Sequence, residues 1–245
     1  MNYSLFMFRI LLALIILVAI NVHAQEDYET MRDNMVTEVE EMMFNSRNYV
    51  GSDKLDPRVI EALKRVPRHE FVPTSYRHYA YQNRPLPIGE EQTISQPYIV
   101  ALMTDLAQLD KDSIVLEVGT GSGYQAAVLA ELVAQVYTIE IIEVLGKRAE
   151  TTLNRLGYDN ISVRIGDGYN GWPEQAPFDA ILVTAAPETV PQPLIDQLKP
   201  GGRLVIPVGP QARAQSLRVI EKDETGELIE RDVIPVGFVP LTREQ

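Results

Sequence analysis

A buried strand that runs directly into a glycine-rich turn is the feature that most constrains this chain. Residues 114–118 are mostly apolar, three glycines alternate through residues 119–123, and residues 124–133 have the composition of a helix. Glycines at such positions let the backbone turn tightly and approach a ligand closely. A strand, a glycine turn and a helix in this order are typical of the place where a doubly wound sheet binds a nucleotide.

The spacing of the glycines indicates which kind of nucleotide-like ligand the turn would bind. A dinucleotide-binding turn has the pattern Gly-x-Gly-x-x-Gly, whereas this turn is Gly-x-Gly-x-Gly and continues with Tyr124. Glu140 ends the next apolar segment, where a carboxylate can accept hydrogen bonds from both ribose hydroxyls of an adenosine. An adenosine with a free ribose and no diphosphate fits both features, and S-adenosylmethionine is the common ligand of that description. For the glycines alone the alternative is an ordinary tight turn, and a nicotinamide cofactor is disfavoured by the spacing.

Apolar segments and helical patterns alternate along most of the chain. The pattern predicts strands at 114–118, 135–140, 161–165, 178–183 and 202–208, and helices at 97–109, 124–133, 142–156 and 191–198. This alternation predicts an α/β fold with a mostly parallel, doubly wound sheet that helices cover on both faces. An antiparallel edge of two strands is predicted near the C-terminus, at residues 217–221 and 228–234. Added helices are predicted near the N-terminus, at residues 26–45 and 57–66.

The first 24 residues have the pattern of a signal peptide. Arg9 precedes an apolar run at residues 10–20, and Val22 and Ala24 occupy the small-residue positions of a cleavage site. The run is shorter than a comfortable transmembrane helix, and an uncleaved anchor is the alternative. We therefore expect an exported, periplasmic protein with no stable membrane association after signal removal, with a cytoplasmic location as the alternative. Residues 25–245 are expected to form a single domain.

The charge balance restricts the class of partner. The chain has 34 acidic and 22 basic residues, for a net charge of −12. An acidic protein is poorly suited to neutralising phosphates, so no nucleic acid partner is expected. Cysteine is absent and the three histidines have no paired spacing, so no metal site is expected either.

Residues 67–97 contain five prolines, which exclude long regular elements. A stretch of this length in a compact protein is usually functional or disordered, and its aromatic content argues against disorder. Near its end, Thr93 or Ser95 is expected to cap the helix that begins at Pro97 by accepting a backbone N–H. A second hypothesis, compatible with the first, is that a hydroxyl and exposed amides at this helix terminus receive an anionic group such as a carboxylate.

Two further loops are expected above the same sheet edge as the glycine turn. Asp167 lies between two glycines after the predicted strand 161–165, and Ala185 and Ala186 follow the predicted strand 178–183. The carboxylate of Asp167 or the adjacent backbone could meet an adenine amino group. An equally weighted alternative is that Asp167 satisfies its own turn.

Four segments together resemble the protein-L-isoaspartate O-methyltransferase family, with similarity from about residue 55 to the end. They are Val66-Pro-Arg-His-Glu-Phe-Val-Pro73, residues 86–97 with Thr93-Ile-Ser-Gln-Pro97, residues 116–124, and residues 166–187. The resemblance implies a Rossmann-like S-adenosylmethionine-dependent methyltransferase fold, S-adenosylmethionine as donor, and isoaspartyl proteins and peptides as acceptors. It also implies that residues 25–110 form a substrate-facing part and residues 111–245 the Rossmann-like core with the C-terminal strands.

The resemblance implies roles for individual residues as well. Ser95 corresponds to the family's active-site serine, and Thr242 lies in Phe238-Val-Pro-Leu-Thr242, which resembles the family's closing segment near the substrate. The residues implied in cofactor binding are Thr93, Ile94, Glu117, Gly119, Thr120, Gly121, Ser122, Gly123, Glu140, Asp167 and Gly168.

The implied chemistry suits a chain that lacks cysteine. An isoaspartyl carboxylate is already a nucleophile at neutral pH, so methyl transfer needs alignment and partial dehydration more than a strong base. The loop at residues 81–97 is the expected cover of the site. As the family implies, the ester collapses to a succinimide, whose hydrolysis returns some normal aspartate, and the activity is repair.

Some expectations stay open at this point. The family is typically cytosolic, whereas the N-terminus of this chain predicts export. Methylation of a small-molecule carboxylate, and cofactor binding without catalysis, are the two alternative functions. A monomer is expected.

Overall fold

The computed structural model describes the backbone of residues 3–243 and the side chains of residues 27–243. The predicted signal segment, residues 1–24, lies outside the range of residues whose side chains are described. Within the part of the chain that the structure describes, no helix is long and apolar enough to cross a membrane.

Two helices lie before the proline-rich stretch, as the sequence predicts. Helix α1 (Tyr3–Val50) continues past the predicted end at residue 45, and the hydroxyl of Ser46 in its last turns hydrogen-bonds the hydroxyl of Tyr98. Helix α2 (Pro57–Arg65) begins at the predicted cap, where Asp56 Oδ1 accepts a 2.8 Å hydrogen bond from the backbone N–H of Arg58. This bond satisfies one of the amides that a helix start leaves free.

The proline-rich stretch contains short elements only. Two 3₁₀ helices, Arg68–Phe71 and Thr74–Tyr79, are followed by an antiparallel hairpin of β1 (Leu86–Gly89) and β2 (Gln92–Ile94) that the sequence does not predict. The hairpin leads into helix α3 (Pro97–Leu106). The segment that carries Ser95 is therefore an ordered connection between a hairpin and a helix.

A seven-stranded sheet forms the centre of the protein, in the order β5-β4-β3-β6-β7-β8-β9. Its strands are β3 (Ile114–Val118), β4 (Gln135–Glu140), β5 (Ile161–Ile165), β6 (Phe178–Val183), β7 (Leu198–Val208), β8 (Gln215–Lys222) and β9 (Leu228–Val236). Helices α4 (Tyr124–Ala130), α5 (Glu143–Leu156) and α6 (Gln192–Asp196) connect the parallel strands. The first five strands in the sheet are parallel, and β8 and β9 add an antiparallel edge. The predicted α/β architecture is confirmed, although α4 ends at Ala130 and β7 begins at Leu198.

The strand order reverses next to β3. The chain builds outward from β3 through β4 to β5 and then returns to place β6 on the other side of β3. The sheet has a buried cluster on each face: Val115 of β3 packs in one cluster and Leu116 in the other, as the two-residue period of a strand requires. In open α/β sheets, ligands bind beyond the carboxyl ends of the strands at such a reversal. The end of β3 is therefore where a functional cleft is expected.

Candidate active site

A cleft of about 780 Å³, which includes space open to the solvent, lies beyond the carboxyl end of β3. Its walls come from the hairpin, the glycine turn, the ends of β4 and β6, and the C-terminal segment. The predicted site residues along it are Thr93, Ile94, Ser95, Glu117, Gly119, Thr120, Gly121, Ser122, Glu140, Gly168 and Thr242. Residues more than 140 positions apart in the sequence thus line one cavity.

The glycine turn is held between two neighbouring strands. The backbone N–H groups of Gly119 and Thr120 both donate to the carbonyl oxygen of Ile139, at 2.8 and 3.1 Å. On the opposite side, the hydroxyl of Thr184 donates to the carbonyl oxygen of Gly119 at 2.6 Å. Gly119 has φ +100°, and a Cβ there would lie 2.5 Å from Thr184 Oγ1. Both the backbone conformation and the contact with Thr184 therefore require glycine.

Glu140 joins the end of β4 to the turn. Its side chain is buried, and its two oxygens accept hydrogen bonds from the backbone N–H groups of Gly121, at 2.7 Å, and Ile142, at 2.9 Å. Burial raises the pKa of this carboxyl, and the two backbone bonds oppose that shift. A carboxylate has about four acceptor positions, so Glu140 keeps capacity for hydroxyl donors of a ligand.

Glu117 is a second acidic side chain on the cleft. It is completely buried, and its Oε2 accepts a hydrogen bond from the hydroxyl of Thr138, which also contacts the hydroxyl of Thr120 at 2.7 Å. Its Oε1 has no hydrogen-bond partner within the part of the chain that the structure describes. Burial raises the pKa of Glu117 to about 8. A buried polar atom without a partner is costly, so this oxygen is suited to a donor group on a ligand.

Asp167 satisfies its own turn, which was one of its two predicted roles. Its Oδ1 accepts a 2.9 Å hydrogen bond from the backbone N–H of Tyr169, and its Oδ2 accepts one from Arg243 Nε at 3.4 Å. Gly168 lines the cleft directly, whereas Asp167 lies beside it. The loop after β5 therefore reaches the cleft with its carboxylate already oriented.

The predicted cap of α3 by a hydroxyl is wrong. The N-cap residue is Gln96, which makes no side-chain cap hydrogen bond, and the N–H of Tyr98 instead donates to Asn83 Oδ1 at 3.0 Å. The hydroxyl of Ser95 makes no hydrogen bond recorded between residues 27 and 243, and the carbonyl oxygen of Ser95 accepts one from Arg68 Nη2 at 2.8 Å. Because Asn83 takes over the cap, the Ser95 hydroxyl on the cleft wall is available to a ligand.

The C-terminal segment forms the remaining wall. The N–H of Ala186 donates to the carbonyl oxygen of Val239 at 2.8 Å, and the N–H of Leu241 donates to the carbonyl oxygen of Ala186 at 3.0 Å. This short parallel pairing holds residues 239–242 along the cleft.

Gly123, like Asp167, is a predicted residue that does not line the cleft, and several lining residues were not predicted. A Cβ on Gly123 would lie 3.2 Å from Leu153 and 3.3 Å from Ala149, so this glycine allows α4 and α5 to pack closely. The cleft residues outside the prediction include Tyr124, Gln125, Ile139, Ile142 and Thr184. Each lies in or near a segment at the carboxyl end of a predicted strand: Ile139 and Ile142 flank the end of β4, Thr184 follows β6, and Tyr124 and Gln125 begin the helix after the glycine turn. This placement is the signal that could have identified them.

Comparison with known proteins agrees with this geometry. Residues 37–245 match the family described as Protein-L-isoaspartate(D-aspartate) O-methyltransferase. Protein-L-isoaspartate O-methyltransferase 2 of Syntrophobacter fumaroxidans is 60% identical over 219 residues, which cover 89% of each chain. A protein of the same name from a Polaromonas species is 58% identical over 211 residues, covering 86% of this chain and all of the relative.

Solved structures give the same result for the fold. A protein-L-isoaspartate O-methyltransferase structure has a TM-score of 0.69 and 32% identity, and the match covers 82% of this chain but only 65% of that one, just under two thirds. A Plasmodium falciparum structure, described as a protein-L-isoaspartate O-methyltransferase in complex with S-adenosyl-L-homocysteine, also has a TM-score of 0.69, at 23% identity. The match covers 89% of this chain and 99% of the Plasmodium falciparum chain. At this identity it supports only the fold and no shared function. On the family match and the identity to these relatives, the chain belongs to the protein-L-isoaspartate(D-aspartate) O-methyltransferase family.

Proposed function

We propose that this protein transfers a methyl group from S-adenosylmethionine to the free carboxylate of L-isoaspartyl residues in damaged proteins and peptides. The observation that carries the proposal is a single cleft in which groups suited to the cofactor and a group suited to the acceptor face the same space. One wall has the glycine turn with Glu117 and Glu140, and the other has the free hydroxyl of Ser95. Family membership supports the same reaction.

The residues of the first wall fit S-adenosylmethionine. Glu140 has acceptor capacity for two ribose hydroxyls, and Glu117 Oε1 is a buried acceptor without a partner in the described chain. Gly119 and Gly121 both line the cleft, so the backbone of the glycine turn faces the space that a ligand would occupy. The remaining residues that would hold the cofactor are Thr93, Ile94, Thr120, Gly121, Ser122, Asp167 and Gly168. When bound, S-adenosylmethionine supplies an electrophilic methyl group on a sulfonium.

The chain's own residues act mainly by alignment. Ser95 Oγ donates a hydrogen bond that orients the acceptor carboxylate, which needs no general base because it is already ionised at neutral pH. The apolar side chains of Ile94, Ala185, Val239 and Leu241 reduce access of water on the cleft walls. A poorly hydrated pocket favours a step in which a negative carboxylate and a positive sulfonium lose their charges together. The backbone amide nitrogen next to the ester then attacks the ester carbonyl, and methanol leaves as the succinimide forms. Hydrolysis of the succinimide returns part of the product to normal aspartate.

The proposal is tested by combining turnover with binding. Residues 25–245 are expected to bind S-adenosylhomocysteine in a calorimetric titration and to transfer a labelled methyl group from S-adenosylmethionine to an isoaspartyl peptide. Binding without turnover on any acceptor would indicate a non-catalytic cofactor-binding protein. Turnover on small carboxylic acids but not on the peptide would indicate the small-molecule alternative.

We further propose that residues 1–24 direct export and that residues 25–245 act in the periplasm as one monomeric methyltransferase domain, with residues 25–110 facing the substrate. The apolar run at residues 10–20 and the small residues Val22 and Ala24 support this location. Cell fractionation with N-terminal sequencing tests it, and a mature protein that begins at Gln25 in the periplasmic fraction is expected. A cytoplasmic protein that keeps Met1 would contradict export, and sedimentation of the purified protein tests the monomer.

A further inference from the structure

Arg68 is a buried cation that makes no ion pair within residues 27–243. Its side chain is fully buried in the 3₁₀ helix Arg68–Phe71, and its guanidinium group hydrogen-bonds backbone carbonyl oxygens. Nε donates to Ala80 O at 2.8 Å, and Nη2 donates to Ser95 O at 2.8 Å and to Arg84 O at a long 3.5 Å. Burying a charge without a counter-ion is expensive, so a side chain kept in this state needs an explanation beyond packing.

The three carbonyl groups show what Arg68 holds together. Ala80 and Arg84 precede the β1–β2 hairpin, and Ser95 follows it directly. The guanidinium group therefore fixes both ends of the segment 80–95 to one point. Ser95 is held through its main chain, which leaves its hydroxyl unused.

The same guanidinium group contacts the cofactor side of the cleft. Its Cζ lies 4.7 Å from the centroid of the Tyr124 ring, and Tyr124 is the first residue of α4, directly after the glycine turn. Tyr124 is itself buried and is braced at its edge by Phe71, with ring centroids 5.6 Å apart. One side chain thus links the main chain of Ser95 to the helix that begins at the turn.

We propose that Arg68 is a positioning residue for methyl transfer, which fixes the main chain of Ser95 relative to the glycine turn so that the serine hydroxyl meets the acceptor carboxylate. This inference rests on the proposed function. Lysine cannot replace arginine in this arrangement, because its donors radiate from one atom, whereas a guanidinium group presents a planar fork that reaches separate carbonyl groups. Burial lowers the pKa of Arg68 only to about 10, so the group stays charged at neutral pH.

The first test is Arg68→Lys, with Arg203→Lys as the matched control. Arg203 is partly buried, forms an ion pair with Glu221 and donates to the backbone carbonyl oxygen of Leu106 at 3.4 Å, and it does not line the cleft. We expect kcat for an isoaspartyl peptide to fall about ten- to a hundredfold in Arg68→Lys, because small displacements of an aligning group have effects of this size. The dissociation constant for S-adenosylhomocysteine should change by less than about threefold, and Arg203→Lys should keep kcat within about twofold.

The second test is a double-mutant cycle that a merely structural role would not reproduce. If Arg68 acts through Ser95, then Arg68→Lys introduced into Ser95→Ala should lower kcat by much less than it does in the wild-type background. Equal factors in both backgrounds would overturn the proposal. So would a lower melting temperature with unchanged kcat, or equal losses of kcat and of cofactor affinity.

Should Arg68→Lys fail to fold, Arg68→Met gives the same test. Methionine has a neutral side chain of similar length, so the variant removes the buried charge, whose desolvation is costly, together with the donors to the carbonyl oxygens. Folded Arg68→Met with kcat within about twofold of the wild type would overturn the proposal. Failure of the wild-type protein to methylate an isoaspartyl peptide would instead refute the proposed function, so the two failures are distinguishable.

Discussion

The backbone N–H of Gly121 donates a 2.7 Å hydrogen bond to Glu140 Oε2. The bond joins the middle of the glycine turn after β3 to the last residue of β4. Because the second carboxylate oxygen accepts from the N–H of Ile142, Glu140 holds the backbone on both sides of the cleft floor. Its side chain is buried, so these bonds form away from bulk water, where a hydrogen bond to a charged group contributes more than a neutral one.

Replacement of Glu140 tests this connection. In Glu140→Gln one backbone N–H loses its acceptor and the charge disappears, so we expect the dissociation constant for S-adenosylhomocysteine to rise about ten- to a hundredfold, as loss of a charged hydrogen bond implies. Calorimetric titration measures it. Glu143→Gln is the control, since Glu143 is exposed and pairs with Lys147 on the surface of α5. Unchanged affinity in Glu140→Gln would contradict the role assigned to this carboxylate.

Gly119→Ala tests the requirement for glycine in the turn. The positive φ alone costs an alanine about 1 kcal/mol, and displacing Thr184 Oγ1 adds about 1 to 3 kcal/mol from overpacking. Gly157→Ala separates the two effects, because Gly157 has φ +83° but no atom within 4 Å of an added Cβ. Urea unfolding should show a larger loss of unfolding free energy for Gly119→Ala. Equal losses in the two variants would show that the contact with Thr184 is unimportant.

The raised pKa of Glu117 predicts that the free energy of unfolding depends on pH. Its pKa is near 4.5 as an ordinary glutamate and is raised by burial to about 8 in the folded protein. Between these values the folded state keeps a proton that the unfolded chain loses. The contribution to stability is therefore complete below about pH 4.5, declines as the pH rises, and is lost above about pH 8.

Glu117→Gln measures that contribution. Relative to wild type, the variant should gain unfolding free energy between pH 5 and pH 8, at most about 1.4 kcal/mol per pH unit. Urea unfolding at four pH values measures it, with the exposed Glu38→Gln on α1 as control. A constant difference between Glu117→Gln and wild type over this range would show that Glu117 ionises normally.

Ser95→Ala tests the acceptor side of the cleft. The hydroxyl makes no hydrogen bond recorded in the described residues, so its removal should not disturb the fold. We expect kcat to fall about ten- to a hundredfold, because a donor to the reacting carboxylate is lost, with cofactor affinity unchanged. The exposed Ser75→Ala is the control. Equal losses of kcat and of cofactor affinity would indicate a structural role for Ser95.

The sequence predicts the sheet and the glycine turn well because their signals are local. An apolar run ending in alternating glycines specifies β3 and its turn within about ten residues, and the Asp-Pro pair at residue 56 specifies the start of α2 in the same way. The acidic residue at the end of β4 is likewise predictable, because its distance from the turn follows from the length of one strand-helix-strand unit.

The hairpin and the acceptor side depend on contacts that no local pattern reveals. Strands β1 and β2 have only four and three residues, and their turn is Glu90-Glu91, both at positive φ, instead of the usual Asn-Gly. The cap of α3 comes from Asn83, and the support of Ser95 comes from Arg68, 27 residues away. Contacts between residues so far apart in the sequence are set by tertiary packing. The sequence alone therefore favours the local explanation, in which a serine or threonine shortly before a proline caps the helix.

The most direct test of the central claim uses one peptide in two isomeric forms, with isoaspartate or normal aspartate at the same position. Incorporation of labelled methyl from S-adenosylmethionine should be seen with the isoaspartyl form and be absent with the aspartyl form. Equal labelling of both isomers, or labelling of neither, would contradict the assignment of this cleft to isoaspartyl methylation.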